Sequence, residues 1–120
     1  MPATVLLAVP NTPVDLNLAV TTPHVLAYRC WTRPGPQAKW TLLAQGHTSP
    51  DGTFHTTFTP GTGSQFYYWM GVGNFHGGSV YAVTLTFSQG GEHLKGGTIP
   101  WTGKTDTAGN DVTQDVVFFP

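Results

Sequence analysis

The chain holds six acidic side chains, and Asp106, Asp111 and Asp115 crowd into one short stretch near its end, TDTAGNDVTQDVVFFP. Asn110 and Gln114 stand among them. Carboxylate and amide oxygens gathered ahead of an apolar segment are the donor type that a hard cation such as Ca²⁺ takes, alone or with backbone carbonyls. The candidate metal ligands are therefore Asp106, Asn110, Asp111 and Asp115. Asp, Asn, Gly and Thr also form ordinary turns, because their side chains bond to nearby backbone. Both readings stand.

Rings supply the second kind of chemistry. An aromatic face suits the C–H face of a sugar, while Asn, Gln and Asp exchange hydrogen bonds with its hydroxyls. Trp101, set between Pro100 and Thr102 in a Gly-rich stretch, is expected on a loop and free to stack. The expected ligand-binding set is Trp101, Asp106, Asn110 and Asp111, joined by Asn74 and His76 from a neighbouring turn. The segment QFYYWMGV places Phe66, Tyr68 and Met70 on one face and Tyr67 and Trp69 on the other. It fits a strand covered on both sides, a subunit interface or a binding platform. Tyr28, Trp31 and Trp40 add further rings, whose default is core or interface.

Several chemistries are excluded. The five histidines have no metal-like spacing. Cys30, in Tyr-Arg-Cys-Trp, has no neighbouring base and reads as a buried, inert thiol. Gly71-Val72-Gly73 begins like a dinucleotide fingerprint, but His76 holds the third glycine position and no helix follows. Gly78-Ser79 lacks the later glycine of a nucleophile elbow. Glu92 is the only glutamate, so no Glu pair exists for glycoside hydrolysis, although an Asp pair could substitute in principle. A non-catalytic protein is expected.

The acidic tail resembles that of the small calcium-dependent bacterial lectins that bind fucose and mannose, whose run Glu-Asp-Gly-x-Asp-x-Asp-x-Asn-Asp leads into an apolar last strand. With Asp115 on the final acid of that run, Gln114 falls on its Asn, Asn110 on an inner Asp and Asp106 on the leading Glu. Val112 stands where the family has a carboxylate, which removes one ligand from a double-calcium arrangement. The opening LLAVPNTPVDLNLAVTT is similar to the family's first hairpin, with Pro10-Asn11-Thr12 at the turn. The resemblance covers the two ends of the chain and implies a sugar-binding sandwich.

These residues need elements to position them. Ten prolines and fifteen glycines, evenly spread, leave no room for a long amphipathic helix. Val14, Leu16, Leu18 and Val20 alternate with polar or small neighbours, as do Phe54, Thr56 and Phe58, and Tyr81, Val83, Leu85 and Phe87. That period of two predicts strands. Further strands are expected at 4–9, 25–32, 39–45, 65–72 and 114–119, with a long irregular connection over 89–110. About eight strands without a crossover helix predict an all-β fold, a single antiparallel β-sandwich over 1–120 of jelly-roll or immunoglobulin-like type.

Composition narrows the partners. Five Lys and Arg against six Asp and Glu give a formal charge of −1, too few clustered cations for nucleic acid or a polybasic membrane patch. No stretch reaches the ~18 apolar residues of a membrane span, and the start lacks the basic region of a signal peptide. Synthesis in the cytoplasm is expected, with export by an unconventional route left open. The leading expectation is a lectin-like module that binds carbohydrate or glycoconjugate and gains avidity as a homo-oligomer. Two alternatives stay open: a structural or adhesive sandwich of fibronectin type III or immunoglobulin kind with a protein partner, and a membrane-active toxin component.

Overall fold

The computed structural model describes residues 3–21, 24–49, 51–73, 78, 80–106 and 110–120. Their secondary structure is all β: β1 (Ala3–Thr4), β2 (Val14–Val20), β3 (Val25–Arg33), β4 (Thr41–His47), β5 (Thr53–Phe58), β6 (Gln65–Gly73), β7 (Val80–Gln89), β8 (Glu92–Lys104) and β9 (Asn110–Phe118). They form two sheets, one of five strands in the order β1-β9-β6-β3-β4 and one of four in the order β5-β2-β7-β8. Every paired strand is antiparallel except β1, which runs parallel to β9.

The period of two explains the packing. Alternate residues of β2 and β7, Val14 to Val20 and Tyr81 to Phe87, point inward and are buried. The five-stranded sheet meets them with Leu26, Tyr28 and Cys30 from β3, Phe66 to Val72 from β6, and Val117 from β9. Phe58, Phe66, Phe87 and Phe119 interlock at one end, with centroids 5.4–6.2 Å apart. Burying a ring or a branched aliphatic of this size stabilises the native state by about 1.5–3 kcal/mol each.

Three strand expectations need correction. The irregular connection expected over 89–110 is largely β8, thirteen residues long. Pro100 lies within it opposite Thr84. Because β8 is the outer strand of its sheet, the N–H that proline lacks has no ladder position to fill. Gly96 and Gly97 sit where the pairing slips between Thr86 and Ser88. A Cβ on Gly97 would come within 2.8 Å of the Phe87 carbonyl oxygen, so the glycine that reads as a breaker is a packing requirement. At the C-terminus, β9 begins at Asn110 rather than Gln114, which places Asp111 and Asp115 on a strand. At the start, only Ala3–Thr4 forms a strand, supplemented by an isolated bridge from Leu6 to Lys95.

The two outer faces differ. That of the four-stranded sheet carries Asn17, His55, Thr57, Thr84 and Thr86, an ordinary solvated β surface. The outer face of the five-stranded sheet is aromatic.

Candidate functional site on the five-stranded sheet

Strand alternation builds this face. With Phe66, Tyr68 and Met70 facing the core, Tyr67 and Trp69 must face outward, and both are half-buried. On β3 the burial of Leu26, Tyr28 and Cys30 turns Ala27, Arg29 and Trp31 outward, and the register sets Arg29 beside Trp69 and Trp31 beside Tyr67. On β4, Gln45 and His47 lie opposite Arg29 and Ala27. On β9, Val112, Gln114 and Val116 lie opposite Gly71, Trp69 and Tyr67.

The rings brace one another. Trp31 and Trp40 both approach Tyr67, with centroids 5.1 and 5.8 Å away. The Tyr67 hydroxyl donates to Gln114 Oε1 at 2.6 Å. Trp69 is the shared wall of three shallow clefts. One of 300 Å³ lies between Arg29, Trp31 and Tyr67. A second of 470 Å³ runs toward Gln45 and His47, and a third of 380 Å³ toward Asn110, Asp111 and Val112. Gly71 makes this possible: its missing side chain leaves room for the indole, whose Cη2 would lie 3.1 Å from a Cβ there. Apolar side chains edge the face, with Val25, Leu42 and Val112 each about half exposed (46%, 47% and 54%).

The charge on this face has one sign. Arg29 and Arg33 project from β3, while β3, β4 and β6 hold no acidic residue. On β9 the acids Asp111 and Asp115 alternate with the outward set and so lie on its inner side. Among the described residues, neither arginine has a carboxylate partner.

The residues expected to bind ligand are distributed as follows. Asn74 and His76 lie outside the described residues. Trp101 is not on a loop but on β8, in the opposite sheet, where it packs half-buried and edge-on against Tyr81 with centroids 5.0 Å apart. Asp106 is exposed and accepts the Asn110 backbone N–H at 3.0 Å. Asp111 accepts the Tyr81 hydroxyl and, through its other oxygen, the Val112 N–H at 2.9 Å. Asp115 accepts the Val116 N–H at 2.8 Å and lies near Tyr68, whose pKa is raised by burial and by that carboxylate. Among the described residues, no group of three or more His, Cys, Asp or Glu side chains is placed to hold a metal ion. Among the described members of the expected set, Asn110 and Asp111 come together with the aromatic face, at the Trp69 cleft.

By sequence alone Trp31 and Trp40 read as core or interface rings. The available signal was the alternation in β6: once Phe66, Tyr68 and Met70 are inside, Tyr67 and Trp69 must be outside, and any ring paired with them joins the same surface.

Cys30 offers no nucleophile. It is fully buried, and burial pushes its thiol up to about 12. Among the described residues, no helix is long and apolar enough to cross a membrane. No protein-family model, no curated protein and no solved structure matches the chain.

Proposed function

We propose that the protein is a non-catalytic carbohydrate-binding module of β-sandwich type, and that its binding face is the outer surface of the five-stranded sheet. One observation carries this reading: Trp31, Tyr67 and Trp69, with Trp40 beside them, form an outward aromatic surface, while the equivalent face of the other sheet is polar. Rings stack on the apolar faces of sugars, and Arg29, Gln45, Gln114 and Asn110 stand within the same surface to exchange hydrogen bonds with hydroxyls. Among the described residues Asp111 is the one acid lining the Trp69 clefts, with no second acid beside it to form a catalytic pair, which fits binding without turnover. Stacking requires no metal.

A glycan array, run with and without a chelator, tests the proposal. Retention of at least one glycan class, lost in Trp69→Ala and unchanged by the chelator, is the expected result. An array without hits at high protein concentration would remove the proposal.

A second reading is favoured by the exposed Val25, Leu42 and Val112 at the edge of the face: a self-association or protein-docking surface. It predicts an oligomer that is indifferent to sugars and that Leu42→Lys dissociates.

A further inference from the structure

We infer that the pocket around Arg33, at the end of the five-stranded sheet, is a subsite for the carboxylate of an acidic sugar. The inference rests on the carbohydrate reading above and names the class of glycan that the face would select.

The pocket holds 640 Å³. Its polar lining consists of Arg33, Asn11, Gln65 and hydroxyls such as those of Thr32, Thr41 and Ser64, with no acidic residue. Arg33 is fixed from two sides. Its Nε donates to Gln65 Oε1 at 2.7 Å, and its guanidinium carbon sits 4.1 Å from the centre of the Trp40 ring. A planar cation held on an aromatic face with Nε already engaged presents its two terminal nitrogens as a fork, the geometry that matches a carboxylate. Among the described residues those nitrogens have no partner.

The opposite wall is equally fixed. Gly61 donates its backbone N–H to Ser64 Oγ at 2.9 Å, and the Asn11 N–H is bonded to the Pro60 carbonyl at 2.9 Å. Asn11 holds a left-handed backbone (φ 58), and its side-chain oxygen packs close to Gly61, 2.7 Å from where a Cβ would stand. The site therefore exists before any ligand arrives, which lowers the ordering cost of binding.

Trp40 joins this pocket to the stacking face, because it touches Arg33 on one side and approaches Tyr67 on the other. Arg33 lies opposite Gln65, and Arg29 opposite Trp69. Four residues along a strand separate the two arginines by ~13 Å, longer than one sugar ring. The occupant that fits is an oligosaccharide whose rings lie on Trp31, Tyr67 and Trp69 and whose uronate or sialate carboxylate meets the Arg33 fork. The Arg33 pocket, cationic and lined by no acid, favours it electrostatically, and salt weakens the preference.

The experiment uses the full chain on an array of matched glycans, each carrying a terminal glucuronate or N-acetylneuraminate as the free acid and as its methyl ester. The free acid is expected to bind about 10-fold more tightly than the ester. Arg33→Gln is expected to erase that preference while binding of the ester stays within about twofold of wild type, and Arg33→Lys to keep part of it, with charge but no fork. Thermal melts of both variants verify that they fold. Equal binding of acid and ester by the wild type, or a preference undiminished in Arg33→Gln, overturns the inference and leaves the carbohydrate reading standing. Binding to neither form overturns the inference alone, whereas binding to anionic vesicles or oligonucleotides with no glycan of any class retained overturns both.

Discussion

The hydroxyl of Tyr81 donates its proton to the carboxylate of Asp111 across the gap between the two sheets. Tyr81 belongs to β7 and Asp111 to β9, so one hydrogen bond ties the four-stranded sheet to the five-stranded one. Gly103 lies against this bond: a Cβ there would fall 2.6 Å from the Tyr81 hydroxyl oxygen and 3.0 Å from Asp111 Oδ2. Tyr81→Phe removes the donor and leaves a partly buried carboxylate oxygen without it. The expected loss is about 1–3 kcal/mol in denaturant unfolding. Adding Asp111→Asn to Tyr81→Phe should cost less than the sum of the two single changes, since the interaction can be lost only once.

High pH should unfold the protein early. Burial raises the pKa of Tyr28, Tyr68 and Tyr81 above their ordinary 10.0, with added contributions from Cys30, Asp115 and Asp111 respectively. Burial also takes Cys30 from 9.0 to about 12. Above the ordinary values the unfolded chain releases protons that the native protein still holds, so stability falls as pH rises. Melting temperature is expected to change little from these groups up to about pH 8.5 and to drop steadily from pH 9 through 12. Cys30→Ala should reduce the slope in the lower part of that window. A flat profile to pH 11 would contradict the burial assignments.

Trp69 and Trp101 should separate binding from stability. Trp101 packs on Tyr81 beside the core, and Trp101→Ala is expected to cost about 3 kcal/mol. Trp69 lies on the outer face, so Trp69→Ala should lower stability much less and remove glycan retention. Gly71→Ala is the finer probe. Its new methyl group makes the Trp69 indole give by a few tenths of an ångström and should weaken glycan binding modestly with a near-native melt. Chemical denaturation and array binding of the same three variants distinguish these outcomes.

The turn between β4 and β5 should tolerate no side chain at its glycine. Gly52 has φ 81, and a Cβ there would meet the Val20 carbonyl oxygen at 2.4 Å, while its own carbonyl accepts the Val20 N–H at 2.8 Å. Gly52→Ala is expected to destabilise by about 1–3 kcal/mol from backbone strain alone. The same turn holds Asp51, whose carboxyl is kept below the usual range by hydrogen bonds from Ser49 and Thr53. Such a depressed carboxylate favours folding above its ordinary pKa and loses that effect as pH falls, but full exposure keeps the contribution small. Asp51→Asn should therefore shift the melt far less than Gly52→Ala.

Much of the architecture was legible in the residues alone. The alternation in β2, β5 and β7 fixes which side chains enter the core, because a strand offers one face to the interior and the other to solvent. The all-β character follows from breakers spread too densely for helices, and the alternation of β6 by itself divides its rings into two opposite faces. Local sequence could not announce β8, since Pro100, Gly96 and Gly97 read as breakers until β8 is seen to be the outer strand beside β7, where a missing N–H or side chain is accommodated. Nor could it separate Asp106, Asp111 and Asp115. Neighbours in sequence, they diverge because β9 begins at Asn110 and turns Asp111 toward Tyr81, while Asp106 stays exposed before it. The assembly of Trp31, Trp40, Tyr67 and Trp69 beside Arg29 and Arg33 belongs to strand pairing. Sequence sets which way each side chain points, but only the register between β3, β6 and β9 decides which of them share a surface.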